Sequence, residues 1–237
     1  MPSDDSRERR ALEFLGRLAH PSSRRTFLKW SGVSLAVVAA ACNDNGSGLT
    51  APPGGTASVS LGSGDAGVLN YAYALEQLEA AFYTQVVDRP YAGIPQAELQ
   101  LLTDVRDHEV IHRDFLKAAL GAKAIGDLQV TFASVAFGDR TSVLTTARTF
   151  EDLGVSAYNG AGRLLTDPNN LLVAGKIVSV EARHAAAIRD LLEPKSAAFA
   201  GDDVVDAQGL DPARKPSEVL GAAKPFITTT IDASQLP

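Results

Sequence analysis

The chain has one cysteine among its 237 residues. No disulfide can form within it, and a single thiol disfavours Cu(I) and iron–sulfur clusters, which are held by several thiolates. Aromatic residues are 6% of the total, a share that suits a helical bundle packed through small side chains. The most apolar stretch, Trp30 to Ala41, is about a dozen residues, well short of the ~20 a membrane-spanning helix needs. Positive charge is scarce where it matters. Seven of the 22 Lys/Arg and four of the 28 Asp/Glu fall in residues 1–42, leaving 15 basic against 24 acidic residues in the rest, a net of −9. Such a balance argues against binding nucleic acid or anionic lipid through charge. What the chain does have is a 45% hydrophobic content, enough for a real core.

Residues 1–42 read as a leader. Ser23-Arg24-Arg25-Thr26-Phe27-Leu28-Lys29 looks like a twin-arginine export signal, with Arg24 and Arg25 as its arginine pair and the Trp30–Ala41 run behind it. Ala39-Ala40-Ala41-Cys42 resembles a bacterial lipobox, whose cysteine is lipidated and becomes the new N-terminus; plain cleavage near the alanines is the alternative. The expected partners are the twin-arginine export machinery and a membrane, reached through acyl chains on Cys42. The protein would then sit in the cell envelope as an anchored lipoprotein. Residues 43–64, rich in Gly, Ser, Thr and Pro, read as a flexible linker.

Beyond the linker, four apolar stripes recur with helical spacing, each with a glutamate at its middle. They are Leu69, Ala72, Glu76, Glu79, Tyr83, Val86; Leu102, Val105, Glu109, His112, Leu116, Ala119; Leu144, Ala147, Glu151, Gly154, Tyr158, Ala161; and Ala174, Ile177, Glu181, His184, Ile188, Leu191. An ionised carboxylate on a core-facing stripe costs several kcal/mol unless a partner compensates it. Four at matching depth call for a shared positive partner, and two doubly charged metal ions balance four carboxylates. Glu76 and Glu109 are 33 residues apart, Glu151 and Glu181 are 30, and each first glutamate is followed seven residues on by a tyrosine, Tyr83 or Tyr158. The chain therefore reads as two helix hairpins, each carrying Glu and then Glu-x-x-His.

Glu76, Glu109-x-x-His112, Glu151 and Glu181-x-x-His184 together resemble the di-metal carboxylate site of ferritin-like four-helix bundles. Residues 66–227 as a whole resemble an exported bacterial ferritin-like family that also includes plant desiccation-related proteins. The segments Leu75–Tyr83, Thr149–Val155, and Glu218-Val219-Leu220 with Pro225-Phe226-Ile227 carry that resemblance. It implies an all-α, up-down four-helix bundle over residues 65–193, with a long crossover between helices two and three. Residues 194–237 would be an irregular tail packed on the bundle through Val219, Leu220, Phe226 and Ile227. It implies two Fe or Mn ions bridged by Glu109 and Glu181, with Glu76 and Glu151 as terminal ligands and His112 and His184 on one ion each. Tyr83 and Tyr158 would hydrogen-bond the ligands or pass an electron, or else be ordinary core.

The predicted helices run from an Asp65 N-cap to about Val87, from Pro95 to Gly121, from about Thr141 to Leu165, and from Asp167-Pro168 to just before Pro194, with a short one at Ser217–Ala222. Glu79 is either a fifth carboxylate near the metals or the ligand in place of Glu76. The matched spacing to the tyrosines favours Glu76, which puts Glu79 beside the ligands. Three functional readings follow. The first is oxidation of Fe(II), or reduction of oxygen or peroxide, at the dinuclear site. The second is a non-catalytic stress or desiccation-related protein that holds metal or serves as a scaffold. The third takes His108-Glu109-Val110-Ile111-His112 as the H-E-x-x-H of a zinc metalloprotease and leaves Glu76, Glu151 and Glu181 unexplained.

Overall fold

The computed structural model describes residues 58–236. Arg24, Arg25, Cys42 and most of the expected linker lie outside the described residues. Four long helices form the bundle: α1 Gly64–Asp88, α2 Gln96–Leu120, α3 Arg140–Gly162 and α4 Pro168–Leu192. A short α5, Pro216–Ala223, lies in the C-terminal segment. Strands β1, Ser58–Ser60, and β2, Thr230–Asp232, pair in parallel. None of the described helices is long and apolar enough to cross a membrane.

Punctuation in the sequence sets the helix ends. Pro95 precedes α2, Gly121 closes it at φ 55°, a conformation open to glycine, and Asp167 caps α4 by accepting from the Asn169 N–H. Asp65 is not the cap of α1. Ser63 holds that position, and Asp65, in the first turn, reaches across the bundle to accept from Thr166 N and Oγ1, Asp167 N and Asn170 Nδ2. These four donors hold its carboxyl well below the usual range. The carboxylate thus fastens the start of α1 to the turn between α3 and α4, and α3 ends at Gly162 rather than Leu165.

The first pair and the second pair each form a hairpin. Residue contacts then fix how the hairpins meet. Tyr83 reaches Glu151, Tyr158 reaches Glu76, and Asp65 reaches Thr166, so α1 and α3 run antiparallel. Since α1 is also antiparallel to α2, α2 and α3 share one direction, and the chain between them must return the full length of the bundle. A 25-residue helix is ~38 Å long, and the 19 residues between α2 and α3 can span that distance when extended.

That crossover explains why α1 is buried without a break from Asn70 to Ala80. One face of α1 meets the bundle, and the crossover covers its back. Having no helical bonds of its own, the crossover borrows donors and acceptors from α1. Asn70 donates to Lys123 O and accepts from Ile125 N; Gln77, two turns on, accepts from Leu128 N and donates to Gly126 O. Further along, Phe132 meets Phe82 edge to face, Phe137 packs against Phe82 at a tilt, and Phe226 meets Phe150 edge to face at 4.8 Å between ring centres.

The C-terminal segment is fastened more firmly than its irregular sequence suggests. Val219 and Ile227 are buried, and Leu220 and Phe226 pack against the core. Arg214 donates its N–H to Ser156 O, and the chain there presses so close to α3 that a side chain at Gly160 would land 1.8 Å from Arg214 O. The strand pairing carries Ser58–Ser60 onto the end of this tail, so the expected linker stops short of residue 64. Four parallel or antiparallel helices with one long return connection make the up-down bundle with a crossover between helices two and three.

Candidate metal centre

Each of the four central glutamates sits mid-helix, on the face its apolar neighbours turn inward, and Glu76, Glu109, Glu151 and Glu181 are all 0% exposed. His112 and His184 follow Glu109 and Glu181 by one turn and join them. The sequence stripes hold closely, with one shift: at the end of α2 it is Leu120 that is buried, while Ala119 faces solvent.

The donors gather into two overlapping groups. Glu76, Glu109, His112 and Glu181 form one, and Glu109, Glu151, Glu181 and His184 the other; within each, ligand atoms lie no more than 4.8 Å apart. Glu109 and Glu181 belong to both. Glu109 turns Oε1 toward His184 Nδ1 at 2.7 Å and Oε2 toward His112 Nδ1 at 3.6 Å, while Glu181 Oε1 lies 3.0 Å from His112 Nδ1. Glu76 Oε2 and Glu151 Oε2 stand 3.5 and 3.4 Å from the histidine of their own group. Short as these distances are, the atoms are not aligned as hydrogen bonds. Both His Nδ1 atoms, both oxygens of Glu109 and of Glu181, and Oε2 of Glu76 and Glu151 are buried without a hydrogen-bond partner. Buried polar atoms left unpaired cost ~1–3 kcal/mol each. Eight such atoms converging on shared points are what a cation site leaves when its donors aim at the ion instead of at each other. The buried cluster can hold metal.

Electrostatics say the same. Burial, followed by the Glu109 charge, pushes Glu76 up to about 8. Burial likewise raises Glu181 well above the ordinary value, with Glu109 next in effect, and it raises Glu151. Burial pulls the imidazoles of His112 and His184 down, but the facing carboxylates outweigh it and push them up to about 12 and about 10. Glu109, between both histidines, overcomes its own burial and falls to about 2. The site draws positive charge from its only basic groups because the carboxylates outnumber them.

Tyr83 and Tyr158 act across the bundle. Tyr83 donates to Glu151 Oε1 and Tyr158 to Glu76 Oε1, both at 2.5 Å. Burial and the glutamate charges raise both hydroxyls well above their ordinary range, so they stay protonated donors at neutral pH. Each holds one oxygen of a glutamate and leaves Oε2 for the cluster. The sequence showed a tyrosine seven residues after its own glutamate; it gave no sign that the hydrogen bond goes to the other half. His108 belongs to neither group. Its Nδ1 lies 2.9 Å from His184 Nε2, so with Nδ1 of His184 turned to the cluster, the Nε2 proton is assigned to a bond toward His108. A zinc protease would need His108 and His112 on one ion, and here they part.

A family model described as a ferritin-like domain matches residues 64–194, more than half of the chain. The chain belongs to the ferritin-like family. The match covers all four long helices and every residue of both donor groups. No curated protein matches the chain. The ferritin-like bundle explains the paired motif as a structural repeat: α1–α2 and α3–α4 present equivalent glutamates, histidines and tyrosines from opposite sides. One position breaks the repeat, for Glu79 on α1 has Gly154 as its counterpart on α3.

Proposed function

We propose that this ferritin-like protein is a dinuclear Fe or Mn centre of the cell envelope that oxidises Fe(II) or reduces oxygen or peroxide. The observation that supports it best is the pair of donor groups sharing Glu109 and Glu181, with eight inward atoms left unpartnered. Glu109 and Glu181 would bridge, Glu76 and Glu151 would be terminal, and His112 and His184 would each complete one position. Carboxylate oxygens with imidazole suit Fe, Mn or Zn, and the described residues offer no thiolate. When bound, two Fe or Mn ions would supply electrons in pairs by cycling between +2 and +3; Zn, which is redox-inert, would not. The protein's own part is positional. Tyr83 and Tyr158 hold the terminal carboxylates, His108 fixes the ring of His184, and the complete burial of the four glutamates keeps bulk water away.

Adding Fe(II) and air, or peroxide, to the metal-loaded protein should consume the oxidant faster than free metal does. Consumption no faster than free metal removes the oxidoreductase reading. The complete burial of the four glutamates also supports a second reading, a stress-related protein that holds metal without turnover, and the same measurement decides between them.

Export and anchoring rest on Arg24-Arg25 and Cys42. Mass spectrometry of protein from its own host should find a chain beginning at Cys42 with acyl groups attached. An unacylated N-terminus would sink the lipid anchor.

A further inference from the structure

An apolar cavity opens between α1, α3 and the first turns of α4. Leu69 and Leu75 of α1, Ala161 of α3 and Ala174 of α4 line it, together with Tyr71 and Tyr158. Burial deepens along it. Leu69 and Ala174 are half-buried, whereas Leu75, Ala161, Tyr71 and Tyr158 are buried, so the cavity leads inward from the surface. One wall also belongs to the metal centre, for the Tyr158 hydroxyl donates to Glu76 Oε1 at 2.5 Å. No residue of α2 lines the cavity, so it is separate from the face on which His112 is 12% exposed.

Size and chemistry select the guest. The cavity gives the centre of a water-sized molecule about 20 Å³, where holding one water takes ~10–15 Å³. A single molecule slightly larger than water fits. Among the lining side chains only the two tyrosines carry polar atoms, and the Tyr158 hydroxyl is already engaged. The Tyr71 hydroxyl is buried without a hydrogen-bond partner, and burial, followed by the Glu79 charge, keeps it protonated. One free O–H is too little for water, which takes ~2–4 polar partners in a buried site. It is too little for peroxide as well, whose own O–H donors would go unmet at ~1–3 kcal/mol each. Dioxygen has no donor to satisfy, leaves water at little cost, and can accept from Tyr71.

We propose that this cavity holds dioxygen for the dinuclear centre and is closed to peroxide, with Tyr158 as the wall between guest and ligands. This rests on the oxidoreductase reading above and adds to it a route for one oxidant. Ions and polar oxidants are left the α2 side, by His112.

Dissolved dioxygen is paramagnetic, so methyl NMR of the metal-free full chain under dioxygen pressure tests the cavity without metal or turnover. Leu75 and Ala161 should relax several times faster than Leu144 and Ala147, which are equally buried but do not line it. Ala161→Leu fills the cavity and Ala174→Leu narrows its mouth, and each should lose the enhancement at Leu75. Loaded with Fe(II), each variant should consume dioxygen about tenfold more slowly, a barrier raised by about 1.4 kcal/mol, and peroxide at the wild-type rate. Ala174→Leu, at a half-buried position, keeps the test available if Ala161→Leu fails to fold. Equal enhancement at all four wild-type methyls overturns the cavity site. An unchanged dioxygen rate in a variant that has lost the enhancement overturns its service to the centre, and equal loss of both rates overturns the selectivity; in each case the oxidoreductase reading stands. Wild type that consumes neither oxidant faster than free metal removes that reading, and this proposal with it.

Discussion

Replacing Glu109 and Glu181 together by glutamine is expected to empty the centre. The wild-type protein, purified from its host, should carry about two ions per chain, the number that four carboxylates balance. The double variant should carry none. Glutamine keeps the volume and one carbonyl oxygen of each side chain, so the packing around residues 109 and 181 survives. What is lost is the charge on the two groups common to both donor sets, and with it the only carboxylates able to face both histidines. Metal-free, the variant should melt lower than metal-free wild type, by about 3–5 kcal/mol in stability, because Glu109 is the ionised partner of both buried imidazoles and its loss leaves them without that counter-charge. Elemental analysis and a thermal melt read both effects. About two ions per chain in the double variant would mean that other residues hold the metal.

The second large effect is a dependence of stability on pH that metal should cancel. Folding raises Glu76 from 4.5 to about 8, His112 from 6.5 to about 12 and His184 from 6.5 to about 10. A group raised on folding contributes stability below its unfolded value and loses it as pH climbs through the folded one. Glu76 therefore loses its contribution between about 4.5 and 8, and the histidines theirs from 6.5 upward. Glu109 works in the opposite sense: lowered to about 2, it contributes above 4.5 and loses that contribution as pH falls toward 2. Metal-free protein should accordingly be most stable near pH 5 and decline steadily to pH 9, on the order of 5–10 °C in Tm. With Zn(II) bound, ions take the place of protons and bind better as pH rises, so the decline should vanish or reverse. Equal melting temperatures at pH 5 and pH 9 for the metal-free protein would show that these groups are not coupled to folding.

Much of the centre was legible before any coordinates. Helical periodicity is local, so it marked Glu76, Glu109, Glu151 and Glu181 as core-facing, and the repeat of spacing between the two halves matched each histidine to its glutamate. Helix ends were legible wherever proline or glycine forced them, as at Pro95, Gly121 and Pro168. Asp65 was misread because an acidic residue at a helix start has two uses, and only the neighbouring turn at Thr166–Asp167 shows which one it serves. Residues 58–60 looked like linker because a three-residue strand has no pattern to detect; its partner is some 170 residues away.

Taken alone, the sequence determined which faces of the four helices turn inward and which acids and imidazoles ride on them, because spacing along one helix is fixed by 3.6 residues per turn. Tertiary structure alone decided the register between helices. On its own helix, Tyr83 lies ~10.5 Å along the axis from Glu76, too far to bond it, and the antiparallel packing of α1 on α3 instead sets it level with Glu151. The same register brings Tyr158 to Glu76, Glu79 over Gly154, and the backbone of Arg214 against Gly160. Offsets of this kind arise from how side chains interlock across an interface, and no periodicity within a single strand of sequence encodes them.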